Sequence, residues 1–366
     1  KFGWTENIIL VGDEDVNPYQ RPPLSKGYLK GEVSDEKLAL RNSQFYEKNK
    51  VKMYLGHKVV KINRERKFIE LNNKATIDYH KLILATGTRP RELQISGNTL
   101  PQIRYLRTIK DVDFLKNKIT QNINLLIIGA GYIGLEVAAS ATMRNTKVTI
   151  IESTDRVLSR VTGKTISNFY YNLHTSKGVK IQLNSTITKF ESLQKTCIAS
   201  SDNGNQYKFD LAIVGIGVIP NIELAEAAEL KCDNGIMVNE FTQTSDEDIH
   251  AIGDCSNHPS SIYQKRIRLE SVPNALGQAK TAANFICGNQ QPYHQVPWFW
   301  SDQYDIKLQS AGLAADYDKT ILSGDESTKK FTVSYMKNDH MVALDAINSP
   351  REFLQAKKEI GNLNLN

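Results

Sequence analysis

The stretch INLLIIGAGYIGLEVAASATMRNTKVTIIES, residues 123–153, constrains the fold more than any other part of this chain. It holds an apolar run, a glycine turn, a small-residue helix pattern and a second apolar run that ends in an acid. Gly129, Gly131 and Gly134 fall in the spacing G-x-G-x-x-G between the run LLII and the helix pattern LEVAASA. The three glycines do different things. Gly129 allows a tight turn, Gly131 lets a pyrophosphate approach the backbone, and Gly134 lets helix pack on strand. The helix N-terminus then offers free N–H groups to phosphate. Strand, turn, helix and spaced acid together predict a βαβ dinucleotide-binding unit. Glu152, about 20 residues past the turn, stands where such units hold the adenosine ribose. A carboxylate there disfavours a 2′-phosphate, because two unit charges ~4 Å apart at an effective dielectric of ~20 repel by about 4 kcal/mol. Arg156 follows closely and softens that repulsion, and the expectation is NADH in preference to NADPH.

The flanks repeat the pattern. NIILVGDED (residues 7–15) is a short buried strand that delivers Asp13 at its tip. KLILATGTRP, FDLAIVGIGVIPN and EDIHAIGDCS each run from an apolar strand into a glycine turn, and SVPNALGQAKTAANFI reads as an amphipathic helix. From VPWFWSDQ onward, apolar and polar residues alternate as in an antiparallel sheet. Trp298 and Trp300 fall two apart there, so a strand puts both on one face. The predicted class is α/β: two Rossmann-like dinucleotide-binding domains, then an α+β domain with an antiparallel sheet. Composition shifts put the boundaries near 105, 230 and 293. An acid such as Asp13 normally follows a glycine turn by about 20 residues. Too few residues precede this run for such a turn.

Composition narrows the function classes. The net charge of +6 is dispersed, with small clusters at Lys265, Arg266 and Arg268 and at Lys329 and Lys330. No basic stripe interleaved with aromatics is present, so nucleic acid is not an expected partner. An acidic protein fits the charge better. No apolar run approaches the roughly 18 residues needed to cross a membrane. Cys197, Cys232, Cys255 and Cys287 form no CxxC or CxxxxC pair, which argues against a redox disulfide or a zinc site. Four free thiols suit a reducing, cytoplasmic setting.

The segments PYQRPPLSKGYLKGE, KLILATGTRPR, RYLRT, GAGYIGLEVAA, GIGVIPN, AIGDCS, RLESVPNALGQA and PWFWSDQYDIKL occur in this order. Together the chain resembles the FAD-dependent, NADH-linked ferredoxin reductases that serve bacterial cytochrome P450 systems, within the pyridine nucleotide-disulfide oxidoreductase superfamily. The resemblance runs nearly end to end. It implies an FAD domain at 1–105 and 231–293, interrupted by an NAD domain at 106–230, then a C-terminal interface domain at 294–366. It also implies that the first strand, its turn and most of the first helix are missing before residue 1, and that the C-terminus stops short of the usual length.

The resemblance assigns FAD contacts to Asp13 (adenosine ribose), Val59 and Arg107 (adenine side and phosphates), Asp254 (ribityl chain) and Val272 (pyrimidine edge). Lys26 resembles the lysine beside the reactive edge of the flavin, where a cation stabilises the reduced ring. Glu136 resembles the acid that faces the nicotinamide amide and pairs with that lysine. Tyr132 matches a tyrosine lid over the nicotinamide pocket, and Trp298 and Trp300 match a position near the flavin and the carrier surface. The implied activity is hydride transfer from NADH to FAD, then single-electron transfer to a [2Fe–2S] ferredoxin docked on a basic rim that includes Arg266 and Arg268. A rubredoxin or a dioxygenase ferredoxin is the alternative acceptor, and an NADH-sensing flavoprotein resembling apoptosis-inducing factor is the alternative class. Disulfide reductases, peroxidases and oxidases of the superfamily need a cysteine near RPPLSK, and none is there.

Overall fold

The run 125–128 is buried throughout, and its strand, Asn124–Ile128, is the centre of a five-stranded parallel sheet. Lys147–Ile151 and Leu211–Val214 flank it, and Lys180–Gln182 and Ile103–Tyr105 form the edges. A parallel strand covered on both faces requires a continuous apolar run rather than an alternating one. Leu125 and Ile127 meet the helices Tyr132–Thr142 and Lys164–Ser176 through Leu135, Ala138, Phe169 and Tyr170. Leu126 and Ile128 meet a three-stranded antiparallel sheet through Ile187, Phe190, Cys197 and Phe209. The computed structural model describes residues 3–193 and 196–362.

A second lobe is assembled from two separated parts of the chain. Leu82–Leu84 pairs in parallel with Ile249–Ala251. One core joins Ile62, Ile69, Leu71 and Leu84 to Ala225, Leu230, Ile236, Val238, Ile249 and Cys255. Ile8–Gly12 pairs in parallel with Val51–Leu55, and Val59–Asn63, Phe68–Leu71 and Thr76–Asp78 form a small antiparallel sheet. The helix Val272–Ile286 completes this lobe.

The chain crosses between the lobes on one antiparallel pair, Thr88–Pro90 with Val218–Pro220. Ile103–Tyr105 sits in the first sheet, and Ala225 and Leu230 sit in the second core. We therefore propose these crossings as the lobe boundaries, in place of 105 and 230.

The C-terminal lobe is a five-stranded antiparallel sheet in the order Trp298–Gln303, Ile306–Gly312, His340–Ile347, Lys330–Lys337, Lys319–Asp325. The helix Pro350–Gly361 covers one face with Phe353, Ala356 and Ile360. Phe331 and Tyr335 join the core of the first lobe, with Phe331 edge-on to Phe169. The α/β class with an antiparallel α+β lobe at the end is as the sequence predicts. Among the described residues, no helix is long and apolar enough to cross a membrane.

His174, His250 and His258 are enclosed by this packing. Burial pushes each down to about 4 from an ordinary value of 6.5. Between those values the unfolded chain takes up protons that the folded chain does not. Stability is therefore full above pH 6.5 and lost as the pH falls towards 4. Thermal midpoints should decline from about pH 6.5 downward. A midpoint unchanged between neutral pH and pH 5 would contradict neutral burial of these rings.

Candidate active site at the junction of three lobes

The glycine turn divides its three glycines by available space. Gly129 has φ +101°, and a Cβ there would lie 2.4 Å from the Gly215 carbonyl oxygen. A Cβ on Gly134 would lie 2.1 Å from the Gly129 carbonyl oxygen, so strand and helix touch at this point. At Gly131 φ is −77°, and a Cβ would meet nothing within 4 Å. The first two positions are closed by packing, and the third opens onto space. No side chain caps the helix Tyr132–Thr142, whose N-terminus faces that space. These residues fit a dinucleotide pyrophosphate.

Glu152 closes the rim of this turn. One carboxylate oxygen accepts the Ala130 N–H at 2.6 Å, and the other accepts the Thr154 N–H and hydroxyl, each at 2.9 Å. Each oxygen has two acceptor positions, so the Ala130-bound one keeps a place for a ribose hydroxyl. Arg156 does not face this carboxylate. Its guanidinium donates to the carbonyls of Ser159 and Thr162 and to the Ser167 hydroxyl, each at 2.7 Å. The softening expected from Arg156 is thus absent, because its donors hold the following loop.

The structure brings Lys26 and Glu136 together. Pro22–Ser25 forms a short 3-10 turn started by its prolines, and it delivers Ser25 and Lys26 side by side. The Lys26 ammonium lies 2.6 Å from Glu136 Oε2, and the Ser25 hydroxyl donates to the same oxygen at 2.5 Å. Ser301 of the C-terminal sheet donates to Oε1 at 2.6 Å. Glu136 is only 3% exposed. A buried carboxylate is tolerable only when paired and hydrogen-bonded, and donors from the other two lobes satisfy this one.

A second set lines the carboxyl ends of the split lobe. Arg107 lies 3.3 Å from Asp254, which also accepts from Thr88. Burial lowers the Arg107 pKa, and Asp254 opposes that shift. Arg21 donates to the Arg107 carbonyl at 2.6 Å and pairs with Glu14, which the Tyr19 hydroxyl also reaches. Asp13, at the tip of Ile8–Gly12, is exposed and stands next to this cluster in sequence. Val59 begins the small antiparallel sheet and packs against the split lobe's core. Val272 is the first residue of its helix, exposed, behind the Ser271 cap.

Two arginines of the expected basic rim are also bonded within their own lobe. Arg266 bonds Val238 and Asn257, and Arg268 bonds Asp254 and Asn234 and pairs with Glu270. Both guanidinium groups serve their own fold, because carbonyls left open in the Asn234–Asn257 region need donors.

Alternation along Trp298–Gln303 sorts its residues. Trp298 and Trp300 share a face, with ring centroids 5.6 Å apart, and Trp298 leans on Phe353 under the Lys357 ammonium. The opposite face carries Phe299, Ser301 and Gln303. They meet Tyr132 (centroids 4.3 Å apart), Glu136 and His174 in turn. Ser25, Ser301, Gln303 and His174 escaped the sequence reading. The same alternation that paired the tryptophans is the signal that would have found the two on this strand.

The profile of the pyridine nucleotide-disulphide oxidoreductase family matches residues 4–279, and a reductase C-terminal profile matches 298–363. The chain belongs to the pyridine nucleotide-disulphide oxidoreductase family. It is 43% identical to putidaredoxin reductase of Pseudomonas putida over 98% of this chain and 86% of that protein. It is 39% identical to rhodocoxin reductase of Rhodococcus erythropolis over 97% of this chain and 84% of that one. A solved covalent putidaredoxin reductase–putidaredoxin complex superposes with a TM-score of 0.95 at 42% identity, covering 99% of this chain and 88% of that one. The family resemblance read from the ordered motifs therefore holds. Within the family this chain lacks a cysteine in Pro22–Ser25 or at Lys26, and its four cysteines are free.

Gly131→Ala and Gly134→Ala should separate nucleotide contact from packing. Gly134→Ala forces a Cβ into the Gly129 carbonyl and should destabilise the fold by about 1–3 kcal/mol or more. Gly131→Ala should leave urea stability near wild type and weaken NADH binding measured by calorimetry. Equal NADH affinity in Gly131→Ala and wild type would remove the turn from the binding site.

Proposed function

We propose that this chain is an FAD-dependent reductase that takes electrons from NADH and passes them to a [2Fe–2S] ferredoxin serving a cytochrome P450. The observation that carries the reading is the buried Lys26–Glu136 pair, whose acid lies on the helix that follows the open glycine turn. FAD, when bound, supplies the step that accepts a hydride and releases electrons singly.

The chain's residues bind, orient and polarise. The N–H groups behind Gly131 hold the NADH pyrophosphate, and Glu152 holds its ribose. Asp13, Val59 and Arg107 hold the adenosine and phosphate side of FAD. Asp254 accepts from its ribityl hydroxyls, and the Val272 end of its helix donates to the pyrimidine edge. Lys26 places a cation beside the flavin ring, where charge develops. Glu136 fixes that ammonium and accepts from the carboxamide of the nicotinamide. Tyr132 packs over the nicotinamide pocket, while Trp298 and Trp300 lie on the carrier side. No protein nucleophile is required, so positioning and electrostatics carry the catalysis. Buried Cys197 and Cys255 stay reduced in the cytoplasm, where we place the protein.

The purified protein supplied with FAD should hold it one to one, and anaerobic NADH should bleach its visible bands. A [2Fe–2S] ferredoxin should then be reduced faster than a rubredoxin in stopped-flow mixing. Bands that NADH leaves unchanged would reject this reading. Glu152→Gln removes the charge that opposes a 2′-phosphate and should narrow the NADH-to-NADPH ratio of kcat/KM by about tenfold or more. An unchanged ratio would reject Glu152 as the selector.

A further inference from the structure

Glu136 is the end point of a longer series of contacts that the family reading does not use. Its Oε1 accepts the Ser301 hydroxyl at 2.6 Å. Ser301 Oγ in turn accepts Gln303 Nε2 at 3.1 Å. Gln303 Oε1 lies 2.8 Å from His174 Nε2, and His174 Nδ1 lies 3.1 Å from the Tyr304 hydroxyl. Ser301, Gln303 and His174 are each at most 1% exposed. Tyr304 is half-buried at the far end.

We propose that Tyr304, His174, Gln303 and Ser301 form a one-way hydrogen-bond relay that positions the Glu136 carboxylate against Lys26. The direction of every link follows from the one before it. A carboxylate paired to an ammonium accepts only, so Ser301 gives its single proton to Glu136. Ser301 Oγ can then only accept, which turns the Gln303 amide nitrogen towards it. The Gln303 oxygen is left facing His174 and needs a donor. That fixes His174 as the neutral Nε2–H tautomer, with Nδ1 as an acceptor. Tyr304 supplies the last O–H. Reversing any one link sets two acceptors or two donors against each other in a buried site, which costs the full desolvation of the unmatched groups.

Burial holds the His174 pKa near 4 despite the raising effect of Gln303, in keeping with a neutral ring. The ring sits in the helix Lys164–Ser176, on the same lobe as Glu136, while Ser301, Gln303 and Tyr304 come from the C-terminal lobe. The relay therefore leaves the first lobe at Glu136 and returns to it at His174. It clamps the carboxylate from the side opposite Lys26, so that Oε2 is presented to the ammonium in one orientation.

The test has two readouts, and only the second rests on the proposed reductase activity. In 15N-edited imidazole spectra at pH 7, assigned with His174→Gln, the His174 ring should be the Nε2–H tautomer. In Gln303→Leu it should shift towards a tautomer mixture. A wild-type Nδ1–H or doubly protonated ring, or a tautomer untouched by Gln303→Leu, overturns the relay. In anaerobic stopped-flow at saturating NADH, Ser301→Ala should slow reduction of bound FAD by about tenfold with the NADH Kd unchanged, the loss of one hydrogen bond to a charged group. Ser301→Thr keeps the hydroxyl and should restore the rate. A wild-type rate in Ser301→Ala, or a Ser301→Thr variant as slow as Ser301→Ala, overturns the positioning role. Wild-type FAD that NADH does not reduce overturns the reductase reading instead, and the imidazole spectra still judge the relay.

Discussion

A single buried carboxylate, Glu136, sets the relation between the three lobes. It sits in the second turn of the helix that follows the glycine turn, where the surroundings are otherwise apolar. Left alone there, an ionised acid would cost several kcal/mol. The fold answers with Lys26 and Ser25 from the split lobe and Ser301 from the C-terminal sheet. Because the donors come from both of the other lobes, satisfying the acid and registering the lobes are one event. The helix that opens at Gly131 is thereby tied to the split lobe by one ion pair. Tight packing alone would join the lobes, but it would not prescribe where a cation points.

The same device recurs two strands over from Ser301. Asp345 is buried in the C-terminal sheet and accepts from Ser310, Thr162 and Tyr335. Burial raises its pKa, and those hydroxyls pull it back. Tyr335 also accepts the Gly163 N–H at 2.9 Å, and Gly163 leaves no room for a side chain, since a Cβ there would lie 2.7 Å from the tyrosine ring. The loop pinned here is the one that follows Glu152, and Arg156 braces it from within. The loop after Glu152 and the Glu136 turn of the helix are thus both fastened to the C-terminal sheet through a buried acid.

Features fixed by neighbours in sequence were legible before the structure. The glycine turn, the parallel strands and the shared face of Trp298 and Trp300 all follow from local spacing. Features fixed by distant partners were not. Ser301 meets Glu136 across 165 positions, and His174 meets Gln303 across 129. A serine or a histidine inside an apolar pattern carries no local sign of its partner. Arg266 and Arg268 read as a basic cluster, and the carbonyls they bind in the same lobe had no local sign in the sequence. Ile103–Tyr105 reads as the end of one domain by composition, yet it pairs as an edge strand of the next. At the tip of Ile8–Gly12 the exposed Asp13 stood out, while its neighbour Glu14 makes the contacts with Tyr19 and Arg21.

The most direct measurement is a double-mutant cycle between Lys26→Met and Glu136→Gln, read as urea unfolding free energies. If the ion pair joins the lobes, each single change leaves a buried charge without its partner, and the double change removes both. The predicted coupling is at least about 1 kcal/mol, with the double variant more stable than the sum of the singles implies. Additive effects, agreeing within about 0.5 kcal/mol, would contradict the account.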